Sequence, residues 1–134
     1  MDELVADCDD DPLFYSGRMR VASGIALLRG VERVPELLAL VPEDVPVLVQ
    51  HGDADRVCDV DGSRMLVNSL VLQRSNTQSS NARPDLVTLV EYPGGHHDLL
   101  REREPIASSV VKDALIWLEG VFSAEATTVD TPSV

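Results

Sequence analysis

Residues 45–56 read V-P-V-L-V-Q-H-G-D-A-D-R. Val45–Gln50 is β-branched and apolar almost throughout. It lacks the in-out alternation of a half-exposed strand, so it suits a strand buried on both faces, as in a parallel sheet. His51-Gly52 is expected to end it. A polar loop, residues 53–61 (DADRVCDVD), follows. Asp61-Gly62-Ser63 leads into a helix with Leu66, Val67, Leu70 and Val71 on one face. Leu86–Tyr92 is a second run of the same kind, broken by Pro93-Gly94-Gly95. Strand, helix, strand with buried-type strands implies a parallel crossover.

Outward from this unit, residues 18–40 carry apolar side chains at helical spacing, among them Val21, Ile25, Leu28, Val34 and Leu37. Gly24 and Gly30 interrupt them, which predicts two short helices. Residues 73–85 are polar and long for a helix-to-strand connection, and read as a surface insertion. A last helix is expected from Pro105 to Phe122, with a stripe of Ile106, Val110, Ala114, Leu118 and Val121, widened by Val111, Leu115 and Phe122. The first eleven residues hold six acids and the tail 123–134 is small and polar, so both ends are expected to be poorly packed. Two strands cannot make a sheet that needs both faces covered. The expected architecture is α/β, but only a part of such a fold.

Several functions are disfavoured by composition. A net charge of −12 speaks against nucleic acid, which needs a basic face. No apolar stretch reaches the length of a membrane span, and no secretion signal is visible at the N-terminus. Cys8 and Cys58 therefore read as free thiols of a reducing, cytoplasmic compartment. No CxxC or Cys/His cluster along the sequence supports a zinc site. Counting back from Gly62, the D-A-D-R-V-C-D-V-D-G run puts Val57 where a calcium loop needs its first acid, so that reading fails.

In open α/β sheets, sites gather beyond the carboxyl ends of the strands. Here those places are HGDADR (residues 51–56) and PGGHHD (residues 93–98). An acid in the first can hydrogen-bond an imidazole in the second, the acid-base half of a nucleophilic triad. The order, acid then histidine, is that of α/β-hydrolases. Asp53, Asp55 and Asp59 compete as the acid, and His96 and His97 as the base. Asp53 suits a turn cap, Asp59 the entry to the next helix, and Asp98 a cap of the turn that follows it.

DPLFYSGRMRVASGIALLRG (residues 11–30), VPVLVQHGDADRVCD (residues 45–59) and VEYPGGHHDLL (residues 90–100) together resemble the C-terminal part of monoglyceride lipases. These are serine hydrolases of the serine aminopeptidase S33 group. The resemblance implies an α/β-hydrolase C-terminal part, with residues 1–44 as the end of a cap and its return helix and 45–122 as core; residues 123–134, by composition, are expected to be a disordered tail. It implies Asp55 as triad acid, His97 as catalytic base, and His96 as a flanking residue. It implies a lipid ester substrate such as a monoacylglycerol or lysophospholipid, and no cofactor or metal. The departure is the nucleophile. Ser16, Ser23 and Ser63 adjoin glycines, yet none sits in a G-x-S-x-G elbow, and no H-G-x-G oxyanion segment is present. The chain by itself is therefore expected to be inactive: the rear of a longer hydrolase, a remnant or interaction module, or one half that assembles with a separate N-terminal half. Arg18, Arg20, Arg29 and Arg33 alternate with Met19, Val21, Ile25 and Leu27. That pattern fits peripheral contact with a membrane surface, and equally a helix packed on the core.

Overall fold

The computed structural model describes residues 12, 17–80 and 82–128. The acidic start, Cys8, most of the D-P-L-F-Y-S segment and residues 129–134 lie outside the described residues. The chain divides into two compact units, residues 1–40 and 41–134.

In the first unit, α1 spans Val21–Glu32 and α2 spans Val34–Leu38. Two helices form as expected, but the break is not at a glycine. Gly24 and Gly30 both lie inside α1, and Arg33 separates the helices ahead of Pro35. The reason is chemical. Glycine costs a helix about 1 kcal/mol but keeps its amide, whereas proline removes a donor and restricts the residue before it. No residue of α1 is buried, and Val21, Leu27, Leu28 and Val31 are all exposed.

The second unit is built on two parallel strands, β1 (Val47–Gly52) and β2 (Val87–Tyr92). They pair in register from Val47 opposite Val87 to Gly52 opposite Tyr92. β1 starts later than the apolar run because Pro46 has no amide to give to a ladder. It also ends later, since His51 and Gly52 belong to the strand. The crossover is α3 (Val60–Asn76), capped by the Asp59 carboxylate, which accepts the Asp61 amide at 3.0 Å. Leu66, Val67, Leu70 and Val71 turn their face inward, and Leu70 is buried. Short 3-10 turns at Pro84–Leu86 and Leu99–Arg101 flank β2 and its loop. The last helix, α4, spans Ile106–Thr128 and so runs on past Phe122 into the stretch read as tail.

Residues 73–85 are not a free insertion. α3 carries on through Asn76, and Arg74 is 2% exposed. Its guanidinium donates to the carbonyls of Val45 (2.8 Å), Pro42 (3.2 Å) and Arg83 (3.2 Å). One arginine thus holds the approach to β1 against the approach to β2. Arg74→Met keeps the bulk and strips three carbonyls of a charged donor that is itself buried. It is expected to lower unfolding stability by about 3 kcal/mol, read from urea denaturation.

Gln50, a polar residue in an apolar strand, has a similar explanation. Its Nε2 donates to the Tyr92 hydroxyl (2.7 Å) and to Val110 O (2.9 Å). The Tyr92 hydroxyl in turn donates to Asp113 (3.1 Å). This chain ties both strands to α4. Among the described residues the buried apolar side chains are Leu70, Tyr92 and Val110. Ile106, Ala114 and Val121 are part-covered, but Val111, Leu115, Ile116, Leu118 and Phe122 of α4 are exposed. Apart from the buried Gly52 and Tyr92, the strand residues are half-buried where the sequence pattern calls for burial on both faces.

Candidate active site

Parallel pairing brings both strands to their carboxyl ends at one edge, and glycines let the two loops touch there. A Cβ on Gly52 would stand 2.2 Å from Gly95 O, so only glycine fits. Gly94 adopts a φ of +76°, the left-handed region that glycine enters without strain. The loops are then laced together. Asp53 N donates to Tyr92 O (3.1 Å) and Ala54 N to Gly95 O (2.9 Å). The Asp53 carboxylate accepts the Gly94 amide at 2.6 Å. Asp53 is therefore a turn cap, as expected, but of the turn in the other loop.

This lacing carries Asp55 to His97. One carboxylate oxygen, Oδ1, accepts the amides of Val57 (2.7 Å) and Cys58 (3.1 Å). The other, Oδ2, lies 2.8 Å from His97 Nδ1. An ionised carboxylate only accepts, so His97 carries a proton on Nδ1, which in the neutral tautomer places the lone pair on Nε2. The Asp55 side chain is 4% exposed and the His97 ring 56% exposed, so a sheltered acid holds an accessible base. Burial works to raise the Asp55 pKa. The His97 hydrogen bond and the Cys58 and Val57 amides outweigh it and hold the carboxyl at about 2, below its ordinary 3.8.

A stability consequence follows, with a definite sign. A carboxyl depressed in the folded state binds protons more readily once unfolded, so it stabilises the fold above its unfolded pKa. The difference in unfolding free energy between the parent chain and Asp55→Asn should be full above pH 3.8 and vanish as pH falls through about 2. Denaturant titrations across that window check it.

His96 points elsewhere. Its amide (2.6 Å) and its Nδ1 (2.8 Å) both meet Glu102 Oε1. Asp98 sits at the head of the Leu99–Arg101 turn, but its side chain makes no cap bond there. Asp59 caps α3 and stays out of the site.

The sequence reading did not foresee two members of the cluster. His51 Nε2 lies 3.0 Å from Cys58 O and 3.4 Å from Asp55 Oδ2, while its Nδ1 lies 2.7 Å from Ser63 Oγ. A carbonyl only accepts, so Nε2 carries the proton, and a neutral ring takes the Ser63 hydroxyl as donor. His51 thereby braces the 55–58 turn against α3. Its position at the end of an apolar run, four residues before Asp55, was the available signal. A cavity of about 300 Å³ opens over the group, lined by His51, Asp55, Cys58, Ser63, His97 and Leu99, together with Gln50 and Gly52.

An acid and an imidazole joined across two loops at the carboxyl edge of a parallel pair agree with what the sequence matches. Residues 1–104 match the family described as serine aminopeptidase, S33. The chain belongs to this family. It is 32% identical to the monoglyceride lipase of Mus musculus over 87% of this chain and 34% of that protein. It is 33% identical to the monoglyceride lipase of Homo sapiens, over 82% of this chain and 32% of that protein. With the monoacylglycerol lipase of Mycolicibacterium smegmatis the identity is 30%, over 87% and 36%. The chain spans about a third of the length of the curated relatives it matches. The serine aminopeptidase S33 family has the α/β-hydrolase fold. The two parallel strands with their flanking helices are part of it. Among the described residues of this family member, no helix is long and apolar enough to cross a membrane.

Proposed function

We propose that Asp55 and His97 are the acid and base of a serine-hydrolase triad that cleaves carboxylic esters of the monoacylglycerol kind. The nucleophilic serine lies outside these 134 residues. The hydrogen bond from His97 Nδ1 to Asp55 Oδ2 carries this reading. It leaves Nε2 to take the serine proton as the hydroxyl attacks the ester carbonyl. The same nitrogen then gives that proton to the departing alcohol. Water repeats the exchange on the acyl-enzyme and releases the fatty acid. Asp55 stays ionised throughout and stabilises the imidazolium. The names of the relatives support the monoacylglycerol substrate.

The test is chemical. A fluorophosphonate probe, which labels activated serines, should leave the 134-residue chain unlabelled. It should label a longer product whose upstream reading frame encodes G-x-S-x-G. Labelling of the short chain would overturn the assignment of the nucleophile.

A second reading is favoured by one observation. Exposed Val111, Leu115, Leu118 and Phe122, at helical spacing along one face of α4, form an apolar surface that an N-terminal half of the sheet, on the same chain or a separate one, would cover. A cooperative thermal transition of the isolated 134-residue monomer would count against that reading. Peripheral membrane contact belongs here as well. The exposed Met19, Val21, Leu27, Leu28 and Val31, set among arginines, support it.

A further inference from the structure

We propose that Asp55, Cys58 and His97 form a binding site for a thiophilic divalent cation of the zinc and cadmium class. One ligand atom from each residue, a carboxylate oxygen, the Cys58 sulfur and a His97 ring nitrogen, lies within 4.8 Å of the other two. Around a tetrahedral zinc such atoms stand about 3.3–3.6 Å apart, given metal–ligand bonds of about 2.0–2.3 Å. The cluster is therefore a small closure away from a coordination shell. His97 Nδ1 and Asp55 Oδ2 need to open slightly from 2.8 Å, and the exposed His97 ring is free to do so. Cys58 is a free, exposed thiol that can swing inward.

Its backbone is already fixed for this. The turn that seats Asp55 runs through the Cys58 amide, so the acid and the thiol are locked three residues apart on one turn. The Val57 and Cys58 amides on Oδ1 leave Oδ2 facing the metal and serve as the outer hydrogen bonds that orient a ligating carboxylate. The fourth position opens on the cavity, where water can complete the tetrahedron. A single carboxylate beside a thiolate and an imidazole selects against calcium and magnesium, which require oxygen donors.

Binding releases one proton to solvent, that of the Cys58 sulfur; the His97 proton moves from Nδ1 to Nε2, so the ring stays neutral and Nδ1 offers its lone pair to the cation. The cation then occupies the place of the proton that joins acid to base. Occupancy would switch off the Asp55–His97 pair, a consequence that rests on the hydrolytic role proposed above. The binding itself does not.

Cadmium chloride is the probe, because its thiolate complex has an ultraviolet charge-transfer band. In the full chain carrying Cys8→Ala, Cys58 is the one remaining thiol. The band is expected to saturate at one equivalent of cadmium, with proton release in weakly buffered solution. Cys58→Ser should abolish it. His97→Gln and Asp55→Asn should each weaken binding more than about 100-fold, beyond the roughly 10–100-fold that loss of an outer-shell partner gives. His96→Gln, at a residue committed to Glu102, should leave binding unchanged. Far-ultraviolet circular dichroism confirms that each variant is folded. Should Asp55→Asn unfold, the surface-exposed His97→Gln still decides. No band, or a band that saturates equally in His97→Gln, would overturn the site. Either result leaves the triad assignment to stand or fall on the fluorophosphonate test.

Discussion

His97→Gln, placed in a chain that carries a serine elbow together with these residues, should lower kcat/KM for monoacylglycerol hydrolysis about 10⁴-fold or more. Removing the base of a triad removes the general acid as well, since one imidazole does both tasks. Glutamine can keep a hydrogen bond to Asp55 but cannot accept a proton, so the loss should fall on kcat rather than on KM. Asp55→Asn should cost about 10⁴-fold by a different route, by no longer holding the proton on Nδ1. Each loss is about 5.5 kcal/mol of transition-state stabilisation. His96→Gln is the internal control. Its Nδ1 is directed at Glu102, and its replacement should change the rate by less than about tenfold. Steady-state kinetics on the three variants decides the matter. A large loss in His96→Gln with His97→Gln spared would reverse the assignment of the two histidines.

Gly52→Ala should destabilise the second unit by more than about 4 kcal/mol, an exceptional value for the addition of one methyl group. The new Cβ would meet Gly95 O at 2.2 Å, Gly95 C at 2.3 Å and His96 O at 2.7 Å. All three are backbone atoms, so no side chain can rotate away. Relief requires the HGDADR and PGGHHD loops to separate. That breaks the Ala54 N to Gly95 O bond and draws His97 from Asp55. Gly94→Ala is a useful contrast. Space around it is open, and only its φ of +76° opposes a side chain. Its cost should be nearer 1 kcal/mol. Chemical denaturation of both variants checks the order, and equal losses would show that the close approach at Gly52 is relieved by movement elsewhere.

The fold class was readable because β-branched runs of the right length, separated by one amphipathic helix, admit few arrangements. Two chemical details shifted the edges. Pro46 delayed β1, and Pro35 rather than a glycine broke the first helix. The fate of residues 73–85 was not readable, because Arg74 looks like any surface arginine until its three carbonyl partners are in place. The same holds for Gln50, whose partners are 42 and 60 residues away in the chain.

The candidate site divides in the same manner. Local pattern was enough to place an acid in the first loop and two adjacent histidines in the second, because chain order and strand ends are properties of sequence. Whether His97 or His96 meets the acid depends on ring directions set by contacts across 42 residues, and the structure turns His97 to Asp55 and His96 to Glu102. His51 and Ser63 join the cluster through a contact that no sequence pattern announces, whereas Cys58 is carried there by its place three residues after Asp55. Sequence determined which chemical groups are present and at which edge of the sheet they gather. Only the tertiary structure decided which of them touch, because hydrogen bonds form at about 3 Å and no sequence spacing resolves that distance between separate loops.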